Sequence, residues 1–217
     1  MARRTKEDAL ATRHSLLDAA ELLFQAQGVS RTSLNDIARS AGTSRGAIYW
    51  HFKDKADLFN AMMERVTLPL EQAFQFQYPG KEPNADPLEH IRQVMHEALH
   101  QIATDPRTRR VFEVATQKVE YVDELQTVRL RHLTVRNEFL VRMERGLALA
   151  ATAQNLTIGV SITNAAQGLH AMADGLIQNW LLDTTAFDLV ACSEQVINIY
   201  LTGLGFRLKP GSKPEMN

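Results

Sequence analysis

Apolar residues recur every three or four positions along almost the whole chain of 217 residues, and no sustained alternation of apolar and polar residues interrupts them. A period near 3.6 residues is typical of an α-helix with one buried face, whereas a half-buried strand repeats every two residues. Since each helix must bury its apolar stripe against another helix, the pattern predicts an all-α fold.

Helix start and stop signals divide this pattern into segments. A small polar residue followed three positions later by Asp predicts helix starts at Thr5, Ser33 and Asp54, because such pairs satisfy free backbone N–H groups. Gly28 and Gly42 predict the ends of the first two helices. Further starts are predicted at Thr43 or Ser44, Asp86-Pro87, Asp105-Pro106, about Asp123, about Ser161 and Asp188.

Composition and charge narrow the class of protein. The single cysteine, Cys192, excludes an internal disulfide, and the chain does not open on an apolar signal segment, so we expect a cytoplasmic protein. Residues 146–173 carry no charge, but their polar side chains favour a buried helix preceded by a turn over a membrane span. The net charge of −1 combines +3 in residues 1–55 with −4 in the remainder, so a phosphate-facing module is expected at the N-terminus.

The spacing of three residues in the second and third helices points to one supersecondary motif. Ala38, Gly42 and Ile48 supply in order a small residue, a turn without a Cβ clash and an apolar residue that returns to a shared core. This is helix-turn-helix spacing, although an ordinary αα-corner fits the same three residues.

The outward face of the third helix favours DNA as the partner. If Ile48 points inward, Arg45 can place a forked guanidinium on a guanine edge, Ala47 can pack on a thymine methyl, and Gly46 lets the backbone approach the bases. The predicted DNA-binding residues, several of them hydrogen-bond donors suited to phosphate oxygens, are Thr32, Ser33, Ser44, Arg45, Gly46, Ala47, Tyr49, Trp50, His51 and Lys55.

Three segments in this region also carry a family likeness. Residues 32–38 read TSLNDIA, residues 41–42 read AG, and residues 44–55 read SRGAIYWHFKDK. Nearly residue for residue they resemble the DNA-binding signature of TetR-family transcriptional repressors. Two departures are Thr43, where the family usually has Val, and the turn after Ala151, which lacks the usual Gly and Pro.

Shorter segments resemble the AcrR-type subgroup of that family, which represses multidrug efflux pumps. They are MARRTK at the start, DPRTRR from residue 105, KVEY from residue 118, DGLIQNWLL from residue 174 and FDL from residue 187.

The resemblance implies nine helices, and the helix signals agree with that number. It implies a three-helix DNA-binding domain at residues 1–55 and a larger helical domain for ligand binding and dimerisation at residues 56–208; residues 209–217 are expected to form a flexible tail. The last two helices would form a homodimer, so two recognition helices would read a palindromic operator in successive major grooves about 34–36 Å apart. The predicted interface residues are Leu169, Leu176, Trp180, Val196, Ile199 and Tyr200.

A ligand-responsive repressor needs a pocket for hydrophobic small-molecule inducers. The candidate lining residues combine flexible apolar surface with few polar groups: Val66, Leu70, Phe74, Ile91, Met95, Phe112, Thr116, Met143, His170 and Asp174. Asp174 fits either the pocket or the dimer interface.

Pro69 predicts a break in the fourth helix, which would serve as a pivot or be a harmless kink.

An enzyme and a DNA-binding protein without an inducer are the two alternatives to a ligand-responsive repressor. An enzyme is not expected, because the sequence contains no phosphate loop, nucleophile elbow or paired catalytic carboxylates. His96 and His100 lie one helical turn apart, but no Glu stands between them in the metalloprotease arrangement, so neither a metal nor another cofactor is expected. The remaining alternative is a TetR-like DNA-binding protein that acts through a protein partner without a small-molecule inducer.

Overall fold

A computed structural model describes residues 2–73, 86–120 and 125–209. Within these ranges the chain forms nine α-helices and no strand, in agreement with the predicted fold class. They are α1 (Ala2–Gln27), α2 (Leu34–Ser40), α3 (Arg45–His51), α4 (Lys55–Ala73), α5 (Pro87–Thr104), α6 (Pro106–Gln117), α7 (Gln126–Ala153), α8 (Ile162–Leu182) and α9 (Leu189–Gly203). None of these helices is both long and apolar enough to cross a bilayer.

Side-chain caps begin most of the helices where the sequence predicts them. The Ser33 hydroxyl accepts from the Asp36 N–H at 3.2 Å, and the Asp36 carboxylate accepts from the Ser33 N–H at the same distance, which is a complete capping box. The Ser33 hydroxyl also donates to the Asp36 carboxylate at 2.5 Å, and this bond, together with the one from the Ser33 N–H, holds the pKa of Asp36 below its ordinary value. The other confirmed N-cap residues are Ser44, Asp86, Asp105, Ser161 and Asp188.

Two boundary predictions are wrong. The first helix begins at Ala2 and not at Thr5, because the preceding Ala and Arg residues have high helix propensity and extend it by a turn. The break predicted at Pro69 does not interrupt the helix, since α4 runs through Pro69 to Ala73. Proline holds a helical φ, so the helix continues through it at the cost of the one backbone hydrogen bond that its missing N–H would have donated.

The chain divides into two compact units, of which the first comprises Met1–Leu70 and Thr104–Arg136. Helices α2, α3 and α6 all contact α1, and the core between them is built on large buried residues such as Leu16, Phe24 and Ile48. The contact-defined unit is larger than residues 1–55, because α6 packs on α1 although it lies some 80 positions later in the chain. The functional boundary at residue 55 stays a prediction.

An ionic cluster joins three helices of this unit. Glu21 of α1 is only 1% exposed, and its carboxylate pairs with Arg65 of α4. Arg65 also donates to Asp18 at 2.8 Å, and Arg107 of α6 donates to the same Asp18 oxygen at 2.9 Å. Arg107 and Arg110 approach the other Glu21 oxygen at 3.7 and 3.5 Å. A carboxylate this deep is tolerated because cations surround it.

The second unit comprises Glu71–Ala103 and Asn137–Asn217. Helices α8 and α9 pack closely at Gly168, where a Cβ atom would lie 2.3 Å from the Tyr200 hydroxyl oxygen. That hydroxyl donates to the Ala165 carbonyl at 2.9 Å, and burial raises the pKa of Tyr200. Lys209 pairs with Asp86 at 3.0 Å. The predicted tail otherwise lies outside the described residues.

We predict that Arg65→Ala lowers the free energy of unfolding by about 3 kcal/mol, because it leaves the buried Glu21 carboxylate without its nearest cation. This is the low end for a broken buried pair, since two other arginines remain near Glu21. Urea denaturation at matched protein concentration measures the change.

The control for this prediction is Arg39→Ala. Arg39 pairs with Asp36 at 3.5 Å, but the two side chains are 74% and 38% exposed, so the loss should be below about 1 kcal/mol. Equal losses in the two variants would show that the Glu21 cluster is not the stronger constraint.

Candidate nucleic-acid interface

The turn between α2 and α3 has the geometry that the spacing of small and apolar residues predicts. Ala38 is buried at 1% exposure and Gly42 has a φ of +68°, in the left-handed region that favours glycine. The Thr43 N–H donates to the Ala38 carbonyl at 2.9 Å, and the Thr43 hydroxyl reaches the same oxygen at 3.4 Å. The departure from Val at position 43 therefore adds a hydrogen bond to the turn.

Helix α3 is held by its ends and by one buried side chain. The Ser44 hydroxyl accepts from the Ala47 N–H at 3.2 Å at the start, and Phe52 closes the other end with 2% exposure. Ile48 is completely buried, as predicted, and is the one buried residue of α3. Arg45, Tyr49 and Trp50 are exposed, whereas Ala47 and His51 are partly buried.

The outward surface of α3 carries one cation and two aromatic rings, and at Gly46 it has no side chain. Arg45 is exposed, and its Cζ lies 5.8 Å from the ring centroid of Tyr49, which is 51% exposed. Trp50 is 73% exposed. Gly46 has an ordinary φ, and a Cβ built there would meet only the Ser44 hydroxyl oxygen, at 3.8 Å. Nothing in the fold itself requires glycine at position 46.

His51 lies between solvent and the core at the end of α3. Its ring makes an edge-on contact with Trp50, with 4.6 Å between the centroids. Burial lowers the pKa of His51, and the nearby positive charge of Arg13 lowers it further. The guanidinium of Arg13 lies 5.1 Å from the Phe52 ring. Sequence analysis missed Arg13 as a neighbour of this surface, because the contact joins α1 to the end of α3.

Two of the predicted phosphate donors, Thr32 and Lys55, are buried in the structure. Thr32 is 1% exposed; its hydroxyl donates to the Gly28 carbonyl at 2.7 Å and accepts from Gln27 at 3.1 Å. Lys55 is 8% exposed, and its Nζ donates to the Ser30 carbonyl at 3.4 Å. The chain reverses between α1 and α2, so these side chains are used to satisfy free carbonyls of the loop.

A cleft of about 390 Å³ opens beside these loop residues. Its walls come from the loop before α2, the end of α3 and the start of α4, and they carry three basic side chains and one carboxylate. The lining residues are Ser30, Arg31, Thr32, Ser33, Leu34, Tyr49, Lys53, Asp54 and Lys55. The predicted donors Ser33 and Tyr49 therefore share one basic concave surface.

The predicted pocket residues belong to both compact units. Val66, Phe112 and Thr116 lie in the first unit, whereas Ile91, Met95, Met143, His170 and Asp174 lie in the second. The residues Val66, Ile91, Met95 and Met143 are at most 3% exposed, while Phe112, His170 and Asp174 are partly buried. Phe74 and the side chain of Leu70 lie outside the described residues.

Three polar pocket candidates have partners in the structure. The Thr116 hydroxyl is exposed and donates to the Phe112 carbonyl of its own helix at 2.8 Å. His170 packs on Phe139 with 5.3 Å between ring centroids. Asp174 accepts from Gln178 at 2.6 Å, an exposed bond along α8.

The predicted dimer residues also differ in exposure. Leu169 and Trp180 are 0% and 5% exposed within one chain, so both are buried before any partner is present. Leu176, Val196 and Tyr200 are partly buried, and Ile199 is 72% exposed. Leu182, at 74% exposure, is a further apolar residue at the end of α8 that the sequence analysis did not select.

The paired histidines of α5 do not form part of a larger metal-ligand group. His96 and His100 are both exposed, with nearly parallel rings whose centroids lie 6.1 Å apart. Among the residues that the structure describes, no three His, Cys, Asp or Glu side chains are grouped so that they could hold a metal ion.

Known proteins share both the sequence and the fold of this chain. Residues 16–62 match the family model for bacterial regulatory proteins of the tetR family, and residues 86–206 match that for the C-terminal region of MAATS-type transcriptional repressors. The HTH-type transcriptional regulator AcrR of Shigella flexneri is 37% identical over 204 residues, covering 93% of this chain and 93% of that protein.

Two solved structures extend the comparison. NalD, the secondary repressor of the MexAB-OprM multidrug efflux pump in Pseudomonas aeruginosa, is 36% identical with a TM-score of 0.82, over 91% of this chain and 98% of that one. SmeT in complex with triclosan is 30% identical with a TM-score of 0.81, over 95% of this chain and 99% of that one. The chain therefore belongs to the TetR family of bacterial regulatory proteins, and α2 with α3 is its helix-turn-helix.

Proposed function

We propose that this protein is a ligand-responsive repressor that binds a palindromic operator as a homodimer and controls a multidrug efflux pump. The observation that carries the proposal is α3, a short helix that buries only Ile48 and turns Arg45, Tyr49 and Trp50 outward. Such a surface has no packing role within the unit and suits a major groove. Because the protein must reach operator DNA, we place it in the cytoplasm. The proposal assigns no catalytic role to any of its residues.

The contacts with DNA follow from the placement of each side chain. Arg45 at the start of α3 would read a guanine, and Ala47 would meet a thymine methyl. Ser44, Tyr49 and His51 would donate to phosphates on either side, with Trp50 packing on the backbone between them. The Ser33 hydroxyl donates to the Asp36 carboxylate at 2.5 Å, so Ser33 would lie beside the phosphates as the cap of α2. Thr32 and Lys55 support this surface from beneath through their bonds to the loop before α2.

A small hydrophobic inducer is favoured over a protein partner as the signal. SmeT, which is 30% identical to this chain, was solved with triclosan bound. A ligand of that kind would be enclosed by the buried apolar residues Ile91, Met95 and Met143 of the second unit. It would favour a state in which the spacing of the two recognition helices no longer matches that of successive major grooves. Residues 56–208 would thus bind ligand and, through α8 and α9, form the dimer.

We expect Gly46→Ala to weaken operator binding without lowering the stability of the fold. The added methyl group meets nothing closer than 3.8 Å in the free protein, so the free energy of unfolding should stay equal or rise by up to about 1 kcal/mol. Affinity for the operator should fall by roughly tenfold, the cost of one lost base contact.

Gly159→Ala is the matched control, because a Cβ there also meets open space and position 159 lies between α7 and α8. Fluorescence anisotropy with a labelled operator duplex, selected from random sequences by the wild-type protein, measures both variants. Unchanged operator affinity in Gly46→Ala would contradict a close approach of α3 to the bases.

Operator affinity should rise as the pH falls from about 8 to about 6. Burial lowers the pKa of His51 in the free protein, and the positive charge of Arg13 lowers it further, so both favour the neutral ring there. A nearby phosphate favours the imidazolium, and binding therefore takes up a proton; one proton gives a slope of at most about tenfold per pH unit.

His51→Asn should abolish this slope, whereas His14→Asn, which changes an exposed histidine of α1, should retain it. Anisotropy titrations at constant ionic strength measure the slopes. If His51→Asn kept the wild-type slope, His51 would not be the group that takes up the proton.

Triclosan should bind the free protein about tenfold more tightly than the operator-bound protein, since ligand and operator are proposed to favour different states. Isothermal titration calorimetry of triclosan into each form provides the two affinities. Equal affinities would refute release by ligand, and binding to neither form would refute a hydrophobic inducer of this class.

A further inference from the structure

We infer that Tyr49 is a positioning residue for Arg45: its ring holds the guanidinium in place before operator is bound, and so contributes to base discrimination as well as to affinity. The inference rests on the proposed role of Arg45 as the base reader. It assigns to the ring of Tyr49 a role separate from the phosphate contact proposed for its hydroxyl.

The first step is the geometry of the pair. Residues four apart on a helix lie on the same face, and the Arg45 Cζ lies over the Tyr49 ring, 5.8 Å from its centroid. Tyr49 stays 51% exposed, so the ring is open to solvent and to DNA on its remaining sides. This distance is within the range in which an aromatic face attracts a cation.

The second step is that the neighbouring positions on the outward surface do nothing to orient Arg45. Gly46 has no side chain and Ala47 carries only a methyl group. An exposed arginine has several rotatable bonds, and restricting them on binding costs conformational entropy. A ring one turn away that selects a subset of rotamers reduces this cost in advance.

The restricted orientation of Arg45 also affects the discrimination between the operator and other DNA sequences. A bidentate contact with a guanine edge requires the planar guanidinium to lie in the plane of the base, whereas a phosphate contact tolerates many orientations. Losing the ring should therefore weaken binding to the operator more than binding to DNA that lacks the cognate guanine. Losing the hydroxyl alone should weaken both alike, because phosphates are present in every sequence.

The test uses three single variants and one double variant of the full-length dimer. Anisotropy titrations compare the selected operator with a duplex in which the base pair read by Arg45 is exchanged, and the ratio of the two affinities is the discrimination. Arg45→Ala should reduce discrimination by about tenfold or more. Tyr49→Leu should reduce it by about two- to fivefold, the factor expected for an exposed cation–π contact at about 1.4 kcal/mol per factor of ten.

Tyr49→Phe should lower affinity for both duplexes by the same factor, because it keeps the ring and removes the hydroxyl. In the Arg45→Ala background, Tyr49→Leu should cause no further loss of discrimination, since the ring has no guanidinium left to hold. Circular dichroism of each variant verifies that the helices are retained.

The outcomes separate this inference from the proposed function. Full discrimination in Arg45→Ala, with the operator still selected, would overturn the role of Arg45 and the inference with it. A loss in Arg45→Ala without any loss in Tyr49→Leu would overturn the inference alone. An equal loss from Tyr49→Leu in both backgrounds would also overturn it, because the ring would then act independently of Arg45.

Discussion

A carboxylate in the core of the first unit is the constraint on which the placement of the DNA-binding helices depends. Glu21 is 1% exposed, so α1 can pack only where Arg65 of α4 and the arginines of α6 surround that charge. Sliding α4 or α6 past α1 would separate the Glu21 carboxylate from its cations, and leaving a buried charge unpaired costs about 3–5 kcal/mol. Because α2 and α3 both contact α1, their positions follow from the same cluster.

Neither helix of the helix-turn-helix would be stable if it were separated from the rest of the unit. Two helices of seven residues are far below the length at which a helix persists alone in water. They exist because serine caps begin both of them, Gly42 takes a left-handed φ between them, and Ile48 reaches the core that α1 provides. The surface that meets DNA is therefore a product of the whole unit.

Local signals in the sequence predicted the helices well, and contacts between distant segments account for what was missed. A cap such as Asp105 or Ser161 depends on residues within one turn, and the structure places helix starts directly after both. The burial of Thr32 and Lys55 depends on loop carbonyls that only the folded chain brings near, and so does the approach of Arg13 to Phe52. The predicted dimer residues differ in exposure for the same reason. An apolar stripe predicts that a helix face is buried, but it does not predict whether the face packs within one chain, as at Leu169, or against a second chain.

The division of α3 into one buried residue and an outward remainder has a consequence for how regulators of this kind diverge. Since Ile48 and the two caps maintain the helix, positions 45, 46, 49 and 50 can change without cost to the core. After a gene duplication, a copy could acquire a new operator by a few substitutions at these positions while its expression level and thermal stability stay the same. Changes at Ala38 or Ile48, in contrast, would be removed by selection for folding before any new binding site could be tested.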